Sequence, residues 1–191
     1  MKSLEEKIKR EGKVFPGQIL KVGSFLNQQL DVEFLMEMGE EIAKLFADDK
    51  PTKVLTIEAS GIAVAVCAAS YLHVPVVFAK KHKSANVASD VYSAKVHSYT
   101  HGNDYEAVVS KEYLQGGERI LIIDDFLATG EAMNGLIEIV EKAGANVVGI
   151  ADAIEKRFQG GGNALRSKGY HVESLALVES MSDYDITFGE I

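Results

Sequence analysis

Short β-branched runs alternate along this chain with longer stretches whose apolar positions recur at helical spacing, and few folds accommodate that order. Residues 31–47 (DVEFLMEMGEEIAKLFA) place Leu35, Met38, Ile42 and Phe46 on one helical face, with Asp31 available as the N-cap. Lys53 to Ile57 is a strand, Glu58-Ala59-Ser60-Gly61 a polar turn, and IAVAVCAASYL a buried helix. Val74 to Ala79, with Pro75 near its start, is the next strand and completes a βαβ unit. Arg119 to Ile123 has an ILII core suited to a strand covered on both faces. It precedes a helix marked by Met133, Leu136, Ile137 and Val140 and stopped at Gly144. Val147 to Ile154 is a strand, Gly160-Gly161-Gly162 a break, Ala164 to Lys168 a short helix, and Val172 to Val178 a last strand. This alternation predicts an α/β fold, a parallel β-sheet with helices on both faces, whose ligand sits beyond the carboxyl ends of the strands. No internal repeat or linker divides residues 1–191, so one domain is expected.

Between Lys81 and Tyr99 the pattern lapses into polar and small residues, which predicts a flexible loop at about 82–100 running into a hairpin whose second arm is Glu106 to Ser110. The formal net charge of −8 argues against a nucleic-acid partner, because phosphate backbones demand clustered Lys and Arg, although one basic pocket suffices for a small anion. The single cysteine, Cys67, lies in an apolar run, which excludes an intramolecular disulfide and a cysteine metal site. No apolar stretch reaches the roughly 18 residues of a membrane span, so no membrane association and a cytoplasmic location are expected. His97 and His101, four residues apart, fall in the hairpin rather than on a helix, and no metal ligand is assigned to either.

The segment Ile122 to Ala132, IIDDFLATGEA, carries the chemistry. A buried strand ends in two carboxylates, and a turn of small residues opens a helix. The N–H groups of Ala128, Thr129, Gly130, Glu131 and Ala132 then lie at a helix N-terminus, where free donors and the helix dipole favour a phosphate monoester. Asp124 and Asp125 suit ribose hydroxyls, or a metal ion held between sugar and phosphate. The segment lacks the lysine and spacing of a P-loop and the glycines of a dinucleotide fingerprint. On spacing alone, a strand–loop–helix junction whose acids only cap the helix stays open.

IIDDFLATGEA resembles the phosphoribosyl-pyrophosphate-binding motif of type I phosphoribosyltransferases: an apolar strand, two acids, two variable residues and a small-Thr-Gly turn. The rest of the chain is similar to the purine branch of that family, nearest its xanthine-using members. The resemblance implies the type I phosphoribosyltransferase fold, with segments 1–30 and 154–191 forming a base-binding hood. It also implies Ala128 to Ala132 around the 5-phosphate, Asp124 and Asp125 at the ribose as the catalytic pair, and the turn bearing Ser60 at the pyrophosphate. Adenine-specific relatives have Arg where this chain has Ser60, so Lys80 and Lys81 are the candidates to balance the pyrophosphate charge, within one chain or across a dimer. Hypoxanthine–guanine enzymes have an Asp at the position of Ala128, and its absence removes a carboxylate general base there.

Lys156 and Phe158 follow another strand and stand two residues apart. An ammonium at Lys156 can donate to O6 of a 6-oxopurine, whereas the amino group of adenine offers it no acceptor. Phe158, or Phe126 in the motif, can stack on the ring or serve as core. The resemblance adds Leu20, through backbone groups, and Asn27, through its amide, as partners of the far edge of xanthine. The implied reaction transfers phosphoribosyl from phosphoribosyl pyrophosphate to N9 of xanthine, with Mg²⁺ held mainly by the co-substrate near Asp124 and Asp125. The loop, with Tyr92 and Lys95 as possible contacts, would exclude water. A homodimer is expected. The alternatives are a guanine or hypoxanthine enzyme and a noncatalytic regulator that senses phosphoribosyl pyrophosphate.

Overall fold

The computed structural model describes residues 1–81, 90–98 and 103–189. The chain opens with helix α1 (Lys2–Glu11), a small hairpin of β1 (Lys13–Phe15) and β2 (Ile19–Lys21), and a π-helical turn at Gly23–Asn27. The central order is α2 (Val32–Leu45), β3 (Lys53–Ile57), α3 (Gly61–Leu72) and β4 (Val76–Ala79). A second hairpin pairs β5 (Val91–Ser98) with β6 (Asn103–Ser110). Then come β7 (Arg119–Leu127), α4 (Glu131–Lys142), β8 (Asn146–Lys156), α5 (Gly161–Ser167), β9 (Val172–Met181) and β10 (Ile186–Phe188).

The main sheet has six strands in the order β10-β9-β8-β7-β3-β4. Every neighbouring pair is parallel except β10 with β9, so an antiparallel edge closes a sheet that sequence reading had as parallel throughout. The edge strand is only three residues long, ITF, too short to carry a period. β7 explains why both faces are covered. Leu121 and Ile123 point into a cluster with α1, α2 and α3, whereas Ile120 and Ile122 point into one with α4, α5 and the second hairpin. Among the described residues no helix is long and apolar enough to cross a membrane.

The cap of α2 is as read, with Asp31 Oδ1 accepting from the N–H of Phe34 at 3.2 Å. α1 was not foreseen, because only Leu4 and Ile8 of its mostly charged sequence reach the core. Its Lys7 is also buried and is paired with Asp31 at 2.7 Å and Glu11 at 3.2 Å.

The hairpin predicted after Lys81 begins earlier and is longer than expected. Residues 91–98 form its first arm, while 82–89 and 99–100 of the expected loop, and 101–102 after it, lie outside the described residues. Tyr92, Ala94 and Val96 pack toward α4, and Lys95 stands exposed on the other side.

Candidate functional site

β7 and β8 extend together beyond the apolar runs that mark them in the sequence. Their ladder continues through Asp124 opposite Asp152, Phe126 opposite Ile154 and Leu127 opposite Glu155. Both acids of the motif therefore lie within a strand rather than in the turn after it. Carboxylates are poor strand formers, which is why β7 reads as ending at Ile123; pairing with β8 overrides that preference. The turn itself is only Ala128 to Gly130. Gly130 adopts φ +87°, a conformation that side-chain-bearing residues rarely take, and it turns the chain into α4.

A cavity of about 600 Å³ opens at this end of the sheet. Its floor is Asp124 to Leu127, and the turn Ala128 to Gly130 with the start of α4 forms one wall. Lys156, the hairpin tip Gly17 to Leu20, and Lys81, His97 and Tyr105 complete the lining. The expected phosphate-holding residues 128–132 and the expected base readers Leu20 and Lys156 thus share one space.

Asp124 and Asp125 are each only 7 % exposed. The N–H of Asp125 donates to Asp124 Oδ1 at 2.9 Å. Burial first, and the neighbouring Asp125 charge second, push the Asp124 carboxyl well above the usual carboxylate range. Asn27 meets the pair from the N-terminal segment, its Nδ2 donating to Asp125 Oδ2 at 3.3 Å. α3 approaches from the other side, where any side chain on Gly61 would overlap Thr56 Oγ1 and Asp124 Oδ1.

The two lysines separate. Lys81 lines the cavity, with its N–H held by Glu58 Oε1 at 2.7 Å and its Nζ 5.4 Å from the centre of the Tyr105 ring. Lys80 exchanges backbone hydrogen bonds with Val108 at 2.9 and 2.8 Å and is not part of the cavity lining. Ser60 is at the N-terminus of α3 and is likewise outside the lining, so the 58–61 turn contributes here by fixing Lys81.

Lys156 Nζ donates to the carbonyl of Gln18 at 2.9 Å and lies 5.8 Å from the centre of the Phe126 ring. Burial lowers its ammonium from the usual value. Phe126 and Phe158 both pack against the core cluster, but only Phe126 also lines the cavity, which makes it the ring available for stacking. Tyr92 and Lys95 are also outside the lining.

Tyr105 was missed. It shares the inward face of β6 with Ala107 and Val109, a period-two pattern present in NDYEAVVS. Burial, followed by the negative charge of Asp124, pushes its phenol up to about 12, so it keeps its proton and can donate. Gln18 was missed as well, and its contribution is a main-chain carbonyl with no sequence signature.

Among the described residues no three His, Cys, Asp or Glu side chains converge on a possible metal site. Two adjacent carboxylates fit an ion that takes most of its ligands from phosphate oxygens of a substrate, and not an all-protein cage.

Residues 27–163 match the phosphoribosyl transferase domain. The xanthine phosphoribosyltransferase of Lachnoclostridium phytofermentans is 50 % identical over 187 residues, covering 98 % of this chain and 96 % of that protein. Xanthine phosphoribosyltransferase 1 of Clostridium perfringens is 53 % identical over 189 residues, covering 98 % and 100 %. Among solved structures, the Giardia lamblia APRTase complexed with 9-deazaadenine superposes with a TM-score of 0.76 at 22 % identity, covering 90 % of this chain and 96 % of that one. The adenine phosphoribosyltransferase of Thermoanaerobacter pseudethanolicus gives 0.73 at 24 % identity, covering 90 % and 98 %.

Proposed function

The chain belongs to the phosphoribosyltransferase family, and from that premise we propose how its cavity works as the active site of a xanthine phosphoribosyltransferase. The enzyme transfers the 5-phosphoribosyl group from phosphoribosyl pyrophosphate to N9 of xanthine, giving xanthosine 5′-monophosphate and pyrophosphate. The observation that carries the assignment of roles is the shared cavity: the 128–132 turn, Asp124 to Leu127 and Lys156 all line it.

The amides of Ala128 to Ala132 and the hydroxyl of Thr129 hold the 5-phosphate at the positive end of α4. Asp124 and Asp125 meet the ribose hydroxyls. Xanthine enters as an anion, having already given a proton to water, and its N9 forms a bond to the anomeric carbon as the bond from that carbon to the pyrophosphate oxygen breaks, the electron pair leaving with pyrophosphate. Lys81 is the cation of this chain placed to meet that charge. Asp124 and Asp125 would lie beside a Mg²⁺ ion held chiefly by the co-substrate, and such an ion would supply further neutralisation. Tyr105 and the second hairpin wall the cavity on the sugar side and keep water from the cationic ribosyl carbon.

Lys156 donates to O6, with Phe126 against the ring and the backbone of Leu20 beside it, while Asn27, outside the cavity lining, would reach the base from its place on Asp125. O6 is common to hypoxanthine and guanine, so these bases are the nearest alternatives. Product formation measured with xanthine, guanine, hypoxanthine and adenine tests the reading; it fails if xanthine is not the preferred base.

The proposal includes a homodimer in the cytoplasm. Exposed Val66 and Tyr71 on α3 and Phe78 on edge strand β4 offer the apolar surface for a second copy. Lys80 and Ser60, outside this cavity lining, would then serve the pyrophosphate side of a dimeric site. Sedimentation at micromolar concentration measures the association.

A further inference from the structure

Glu155 immediately precedes Lys156, yet it turns into the opposite face of the sheet and is fully buried. A buried carboxylate needs fixed partners, and two elements provide them. Arg166 of α5 grips it with both terminal nitrogens, Nη1 to Oε1 at 3.0 Å and Nη2 to Oε2 at 2.8 Å. Ser174 of β9 lies 2.6 Å from Oε2 and also 2.9 Å from Oδ2 of Asp152. One hydroxyl proton cannot serve both acids. The chain closes when Asp152 carries a proton and donates to Ser174, which donates to Glu155, itself held by Arg166. Burial first, then the charge of Glu155 on its own strand and, more weakly, of Asp125 on β7, raise the Asp152 carboxyl well above the usual carboxylate range, against the opposing Ser174 hydrogen bond and Arg166 charge.

The first turn of α5 reaches the other half of the cavity. The N–H of Gly161 donates to the carbonyl of Ala128 in the phosphate turn at 3.0 Å. Gly162 lies against the Glu155 carboxylate, so closely that any side chain there would overlap it. One short helix thus touches the phosphate turn through its backbone and the residue next to Lys156 through Arg166.

We propose that Arg166 is a positioning residue for base recognition: by clamping Glu155 it sets where Lys156 stands relative to the phosphate turn. This rests on Lys156 reading the purine, as described above. Arg166 touches no substrate itself and acts through Glu155. A planar two-pronged grip fixes direction as well as distance, which a single ammonium cannot do.

Steady-state kinetics of Arg166→Met and Arg166→Lys against the unaltered enzyme test this. Arg166→Met should raise the KM for xanthine about tenfold or more, with the KM for phosphoribosyl pyrophosphate changed less than about twofold. Arg166→Lys should fall between the two. Equal rises in both KM values, or no change in either, overturn the proposal. Should Arg166→Met fail to fold, Arg166→Lys carries the same comparison, and an unaltered xanthine KM in that variant overturns it. If the unaltered enzyme makes no product from xanthine, the functional reading fails instead.

Discussion

The side-chain amide of Asn27 donates to Asp125 across 98 residues of sequence, at 3.3 Å, and so joins the N-terminal segment to the acidic pair at the end of β7. The contact ties the residue expected at the far edge of the base to a residue expected at the sugar. Asn27→Ala should therefore affect both substrates' chemistry. Loss of one neutral hydrogen bond, worth about 1 kcal/mol, predicts a xanthine KM raised about fivefold to tenfold. A lower kcat should accompany it as Asp125 loses a fixed partner. Kinetics with unchanged xanthine KM would remove Asn27 from the base-reading set.

Lys156→Met keeps the length and apolar body of the side chain and removes the charged donor. Hydrogen bonds to charged groups contribute about 1.5–3 kcal/mol, which corresponds to a tenfold to hundredfold rise in xanthine KM. The same change frees the carbonyl of Gln18, so the tip of the first hairpin should exchange its amide hydrogens faster. Phosphoribosyl pyrophosphate affinity, read by calorimetry, should stay within about twofold. Matched losses for both ligands would point to a collapsed cavity.

Gly130 stands at φ +87°, where an added Cβ costs about 1–2 kcal/mol. Gly130→Ala should keep the fold, lower the melting temperature by a few degrees, and weaken phosphoribosyl pyrophosphate binding far more than xanthine binding. Calorimetric titration of the variant with each ligand measures the contrast. Undiminished affinity for the activated sugar would displace the phosphate from the 128–132 turn.

Asp152 provides a pH test separate from catalysis. Burial, then the charge of Glu155, raise its folded pKa well above the ordinary value of 3.8. A group raised in the folded state binds more protons there than in the unfolded chain. Its stabilisation is complete below the unfolded value and is lost as pH rises through the folded one. Asp152→Asn keeps a donor toward Ser174 at every pH. Its stability relative to the unaltered protein should grow above pH 4 by up to about 1.4 kcal/mol per pH unit until the folded pKa is passed. Parallel denaturation curves at pH 5 and pH 8 would show instead that Asp152 is ionised throughout.

The elements legible in the sequence are those whose signal is local. β3 matches Lys53 to Ile57 because five consecutive buried residues form it, and α2 starts at Asp31 because its cap is a side-chain hydrogen bond. α1, β1 and β2 were not legible: they are short, charged or exposed, and they owe their order to contacts with distant strands, including the donation of the Met1 amino group to the carbonyl of Leu175. The site divides in the same way. The 122–132 segment is contiguous and readable, whereas the approach of Asn27 and Leu20 depends on the fold. Gln18 acts through its main chain, and Tyr105 arrives on a hairpin. The different fates of Lys80 and Lys81 follow from strand geometry: Lys80 is tied by its backbone to β6, and Lys81 is the first residue beyond that bridge.

The ladder between β7 and β8 puts the residues proposed to grip the sugar and its phosphate at the end of one strand and the proposed purine reader at the end of its neighbour, at a spacing fixed by main-chain bonds. Selectivity for the nucleobase can thus drift, or be redesigned, through replacements at the tip of β8 and in residues 18–27 while the ribosyl donor keeps its seat. A library randomised only at those positions would search new acceptors on an unaltered chassis.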